Sequence, residues 1–441
     1  MSQDSEQSAQ AATSPNSADS PDKTTATNRR TVVAGALGLG LGVTGTLAGQ
    51  YAAAKGQDKQ NQQEEAPLAQ ARVGFYGERQ AGIDTPPPAF ASFIALDLKS
   101  DLDATGLKRL LRILTSDAAD LTAARAPLVD QEPELVQVPA HLTVTFGFGP
   151  RIFEVSKSKK KPSWLKPLPA FPEIDQLQEK WSHGDLLLQV CADDRLTLAH
   201  AQRMLLKDSR SFATVRWVQE GFRRSYGSEK AGTTARNLFG QVDGTINPTT
   251  TDGSMDRVVW GQGQDLKAWE EGGTSLVIRR IHMNLDTWDQ VDRPAREDAI
   301  GRKLSNGAPL TGENEKDPAD LEAKNELGFT VIAPYAHIRR ASAQSPLESI
   351  LRRPYNYDLP VSDASGFSQH GQTQGGISQS GLIFCSYQAD PLQQFLPIQQ
   401  RLASLDMLNT WTVPIGSAVF AIPAGCSPEG FIGESLFTPN S

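Results

Sequence analysis

The chain is poor in cysteine. Three occur in 441 residues, Cys191, Cys385 and Cys426, and no two of them form a CxxC pair. That spacing excludes a zinc ribbon, a thioredoxin-type motif and covalent haem attachment through CxxCH. Cys191 and Cys385 lie in the apolar runs LLLQVCA and GLIFCSY and are expected to be buried, inert thiols. Excess positive charge is also lacking. The net charge is −8, which argues against nucleic acid as the main partner, because phosphate binding calls for a basic face. The one basic run, KSKKKPSW at 157–164, is short and reads as a solvated loop.

Residues 1–28 hold almost no large apolar side chain and cannot bury enough surface to order themselves. Arg29 and Arg30 then precede an apolar stretch, Thr31 to Ala48, in which five residues are glycine. Its length is at the lower limit for a membrane span, and Ala52 and Ala54 supply an A-x-A cleavage pattern. Residues 1–54 therefore read as a polar n-region and twin-arginine signal peptide, and 55–71 as a linker. That export route carries folded cargo, often with a cofactor already inserted. A sparse, odd cysteine count agrees with folding before export or without disulfides.

The remaining chain has room for one large domain or two ordinary ones. SFIALDL (92–98) is strand-like, and Leu107, Leu110, Leu111 and Leu114 follow at helical spacing. HLTVTFGFG alternates as a half-buried strand, GDLLLQVCA is a continuous apolar strand, TLAHAQRMLL a helix and FATVRWVQEGF a strand. The order β-α-β-β-α-β is that of a ferredoxin-like unit. It recurs after residue 270: a strand at SLVIRRIHMNL, a polar helix over 287–304, strands at 348–357 and 380–389, a helix over 391–408 and a closing strand at GSAVFAIPAG. On that helix Leu392, Phe395, Leu396, Leu402 and Leu405 are expected on one side. The fold class is thus α+β, two ferredoxin-like units with antiparallel sheets, with halves at 72–245 and 246–441.

Three stretches hold groups able to do chemistry: GQVDGTINP (240–248), APYAHIRRASAQ (333–344) and ILRRPYNYD (350–358). Asp243 is either a turn residue, since Asp-Gly is a common turn pair, or an acid–base group held at a pocket. His337 is either a structural histidine or a metal ligand, and Arg352 and Arg353 are either surface charge or fixed cations. Spacing alone does not unite them. DGSMD (252–256) lacks the EF-hand ligand sequence and reads as a loop.

The chain resembles the dye-decolourising peroxidases of the exported bacterial kind. GQVDGTINP matches that family's GxxDG motif through Gly240, Asp243 and Gly244. His337-Ile338-Arg339, and then Leu351-Arg352-Arg353, match its proximal histidine and distal arginine. QAGIDTPP (80–87), GDLLLQVCADD and LASLDMLNTW also resemble family segments in the expected order. The resemblance implies one non-covalent haem b per chain, between the two units. His337 is then the proximal iron ligand, Asp406 the carboxylate behind its imidazole, and His282 the rival ligand. Asp243 moves the peroxide proton, and Arg352 stabilises developing charge. Arg353 is the fallback, because Pro354 stands where the family has Gly. Gly240 and Gly244 let the backbone turn and approach the porphyrin. The implied function is a haem peroxidase that reduces hydrogen peroxide and oxidises dyes, phenols or similar donors, in the periplasm or outside the cell. The alternative is an exported haem protein acting as a deferrochelatase or haem carrier.

Overall fold

The computed structural model describes residues 69–230, 232–263, 268–361 and 377–438. The signal segment and all but the end of the linker lie outside the described residues.

The first half runs β1 (Phe90–Leu98), α1 (Ala104–Thr122), β2 (Thr143–Phe148), β3 (Leu186–Ala192), α2 (Arg195–Ser209) and β4 (Ala213–Phe222), the order expected. Both helices start on an aspartate. Asp103 accepts the Gly106 N–H at 2.7 Å, and Asp194 accepts that of Thr197 at 2.7 Å, satisfying backbone donors that a first turn leaves free. Leu107, Leu110, Leu111 and Leu114 are fully buried. They pack with Ile94, Leu96 and Leu98, while Ala91, Phe93 and Ala95, on the alternate face of β1, enter a second core. Burial on both faces explains why Phe93 to Leu96 is apolar without a break. Each leucine removed from water contributes roughly 1.5–3 kcal/mol.

The second half holds β5 (Thr274–Met283), β6 (Leu351–Arg352), β7 (Tyr355–Leu359), β8 (Gln379–Gln388) and β9 (Thr412–Ile422). Its helices include α3 (Arg293–Ile300), α4 (His337–Ala341) and α5 (Phe395–Leu405). Strand order is β2-β3-β1-β4 in the first half and β9-β5-β8-β7 in the second, so the same pattern occurs twice. The two sheets are not separate. β2 meets β9 at Phe148–Ala421, and β4 meets β7 at Phe222–Asn356, so the strands close into one antiparallel ring. The second core fills its inside with Phe93, Cys191, Tyr355, Ile383, Cys385 and Phe420. Cys191 and Cys385 are buried there, as expected.

Four local expectations are corrected. The polar helix over 287–304 is broken into Leu285–Trp288 and α3, because Asp292 caps the Ala295 N–H at 2.9 Å and Pro294 cannot donate to a continuing helix. Pro354 likewise divides the strand expected at 348–357 into β6 and β7. The helix expected from Pro391 begins at Phe395, with Phe395 and Ile398 buried and Leu405 half exposed. DGSMD enters a short helix, Ser254–Val258, and its Asp256 pairs with Arg79 at 2.8 Å.

Candidate active site

Asp243 sits on a loop folded back upon itself. Arg236 and Val242 form an antiparallel bridge, and the Asp243 N–H donates to the Ala235 carbonyl at 2.8 Å. Gly240 and Gly244 have φ of +79° and +123°, which L side chains rarely adopt. A Cβ at either would meet nothing nearer than 3.5 Å, so the turn itself, and not crowding by protein atoms, demands glycine there.

Arg352, at the end of β6, places Nη1 3.0 Å from Oδ1 of Asp243. The two attract, yet no N–H is aimed well enough for a hydrogen bond, and Oδ1 is buried without a protein donor. The next residue faces elsewhere, as alternation along an extended chain requires. Arg353 is buried, and its guanidinium donates to the carbonyls of Thr85 and, at 3.5 Å, Pro86. It therefore ties the 80–87 segment to the ring interior.

His337 opens α4. Its Nδ1 lies 2.6 Å from Oδ2 of Asp406, a carboxylate buried at the end of α5. The other oxygen of Asp406 accepts the Leu408 N–H at 3.0 Å, and the Met407 N–H donates to the Tyr335 carbonyl at 3.0 Å. Two backbone links thus fix the carboxylate against the imidazole. Burial alone lowers the His337 pKa, but the charge and hydrogen bond of Asp406 outweigh it and the net shift is upward. Arg352 and Asp243 also act electrostatically on this imidazole, one lowering and one raising its pKa. With Nδ1 engaged, Nε2 is the nitrogen left for a metal, and 28% of the His337 side chain stays open. His282 lies instead in the middle of a sheet, on β5 opposite Gly381 and Val413.

An imidazole backed by a buried carboxylate, with a second carboxylate paired to a guanidinium in electrostatic reach, is a donor set that suits an iron porphyrin. The Dyp-type peroxidase N-terminal model matches residues 80–223, and the C-terminal model matches 234–427. The chain belongs to the Dyp-type peroxidase family. It is 36% identical over 392 residues to the dye-decolorizing peroxidase of Thermobifida fusca, covering 84% of this chain and 88% of that protein. It is 34% identical over 381 residues to the deferrochelatase of Escherichia coli, covering 82% and 86%. The crystal structure of a Dyp-type peroxidase from Cellulomonas bogoriensis superposes with a TM-score of 0.78 at 49% identity, covering 85% of this chain and all of that one. The protein is thus a haem peroxidase enzyme, with hydrogen peroxide and reducing substrates implied by its family.

Sequence reading did not single out Asn247, which shares the GQVDGTINP stretch. Its Nδ2 donates to the Arg352 carbonyl at 2.6 Å, and its Oδ1 accepts the Arg352 N–H at 3.0 Å. One stretch, residues 240–248, therefore carries both the carboxylate and the group that holds the arginine beside it. The only signal was Asn before Pro, which reads as turn chemistry.

Proposed function

We propose that the chain would hold one haem b non-covalently, with His337 as the residue that would bind its iron and Asp243 and Arg352 as the groups that would meet peroxide. Bound haem supplies the redox chemistry of peroxide reduction. Asp243 accepts the proton that peroxide gives up on binding and returns it to the leaving oxygen. Arg352 stabilises negative charge on the departing oxygen. Asp406 fixes the His337 tautomer and raises its basicity as a ligand. Arg352, not Arg353, takes the distal role, because the Arg353 guanidinium is spent on the carbonyls of Thr85 and Pro86. Gly240 and Gly244 shape the turn that carries Asp243.

The observation that carries this reading is the buried Oδ1 of Asp243, beside a guanidinium but without a hydrogen-bond donor. The test is the absorption spectrum of the haem-loaded protein before and after one equivalent of peroxide, for the native chain and Asp243→Asn. A fast spectral change in the first and a change slowed at least a hundredfold in the second is the expected pair.

The reductants are dyes, phenols or similar one-electron donors. A second reading, removal of iron from haem, draws on the deferrochelatase relative, which is nearly as similar as the dye-decolorizing one. It predicts free porphyrin, visible by fluorescence, after incubation with haem and a reductant. The twin arginines Arg29 and Arg30 favour export of the folded, haem-loaded chain to the periplasm or beyond.

A further inference from the structure

A cavity of about 10 Å³ adjoins Asp243, lined among others by Arg223, Asn237 and Asn356. It lies at the seam between the two halves, because Asn356 is the residue of β7 that pairs with β4, at Phe222, and Arg223 follows directly. Asn356 is buried. Its Nδ2 donates to the Arg236 carbonyl at 3.3 Å, on the loop that carries Asp243. That bond directs the Asn356 Oδ1 as an acceptor, and this buried atom has no protein donor. Oδ1 of Asp243 is in the same condition. The Arg223 guanidinium lies over the Tyr355 ring, 5.9 Å from its centre, and makes no salt bridge among the described residues. Burial pulls the Arg223 pKa down, Tyr355 and Asp243 raise it, and Arg353 lowers it.

Two buried acceptors and one cationic donor around a space of this size match the bonding capacity of one water, which donates twice and accepts. A cavity needs about 10–15 Å³ to hold one. We propose that an ordered water occupies this cavity, donating to Oδ1 of Asp243 and Oδ1 of Asn356 and accepting from Arg223, so that Arg223 and Asn356 are positioning residues for Asp243. The inference rests on Asp243 being the acid–base residue. It adds that the carboxylate is held from a second side, through the water, by Arg223. The charged groups around Asp243 are then Arg352 from β6, Arg223 after β4, Arg236 on the same loop, turned to the Gly240 carbonyl, and His337 from α4, with Arg353 behind, turned to Thr85.

Two measurements on the haem-loaded protein test this. A high-resolution crystal structure is expected to show a water within hydrogen-bond distance of Asp243 Oδ1, Asn356 Oδ1 and the Arg223 guanidinium, and to lose it in Asn356→Leu. Arg223→Met is expected to lose the same water and to slow the peroxide reaction about tenfold, and Arg223→Lys, which keeps a donor, to recover most of the rate. Absence of the water, or an Arg223→Met variant that reacts with peroxide at the native rate, overturns the proposal. An unimpaired peroxide reaction in Asp243→Asn overturns the acid–base reading itself, independently of the water, whose presence diffraction reads either way.

Discussion

Asn247 grips the backbone of Arg352 at two points, accepting its N–H at 3.0 Å and donating to its carbonyl at 2.6 Å. The contact joins two stretches more than a hundred residues apart. It sets the arginine in place through its main chain and leaves the guanidinium to Asp243. Asn247→Leu removes both bonds and leaves both backbone groups without partners. A loss of about 1–3 kcal/mol is expected in chemical denaturation, together with a slower peroxide reaction in stopped-flow. Asn247→Asp, which keeps the acceptor and loses the donor, is expected to fall between.

Arg352 and Arg353 are adjacent, and the account assigns them opposite consequences. Arg352→Leu is expected to slow the peroxide reaction roughly 10²–10³-fold, the usual cost of losing a charge-stabilising donor, with a small change in midpoint of unfolding. Arg353→Leu is expected to destabilise by about 1–3 kcal/mol, because the Thr85 and Pro86 carbonyls lose their donor. Measured kinetics and denaturation on both variants decide the assignment; the reverse pattern would falsify it.

Asp406→Ala takes away the partner of Nδ1 of His337. Loss of such a supporting carboxylate typically costs roughly 10–100-fold in metal affinity. Haem transfer to an excess of a haem-scavenging apoprotein, followed by absorbance, is expected to be faster by that order.

Asp117, buried on α1, is pushed up to about 7 by burial and then by the neighbouring Asp208 carboxylate on α2. Since the folded value lies above the unfolded value near 4, the folded state binds the extra proton between the two. Stability from this pair is full below about pH 4 and is lost as pH rises through about 7. Asp117→Asn is therefore expected to stabilise the protein by about 1–2 kcal/mol at pH 8, discounted because the two groups titrate together. Near pH 4 it should change little. Thermal melts at the two pH values check the sign.

The ring was legible in the sequence as its parts. The four leucines of α1 and the apolar runs of β1 and β3 reveal period and burial, which local sequence encodes. The joins at Phe148–Ala421 and Phe222–Asn356 depend on which edges meet in space, and no periodicity records that. The breaks at Pro294 and Pro354 were signalled by the prolines themselves, which cannot donate a backbone hydrogen bond. At the site, Asp243, His337 and Asp406 could be named from motif resemblance. Asn247, Arg223 and Asn356 could not, because their contacts run between stretches that only the closed sheet brings together.

The most direct test is a crystal structure of the haem-loaded protein. The account predicts the iron bonded to Nε2 of His337, with Oδ2 of Asp406 still on Nδ1 and the Asp243 carboxylate over the opposite face of the porphyrin. Iron bound by His282, or His337 and Asp243 on the same face, would contradict it.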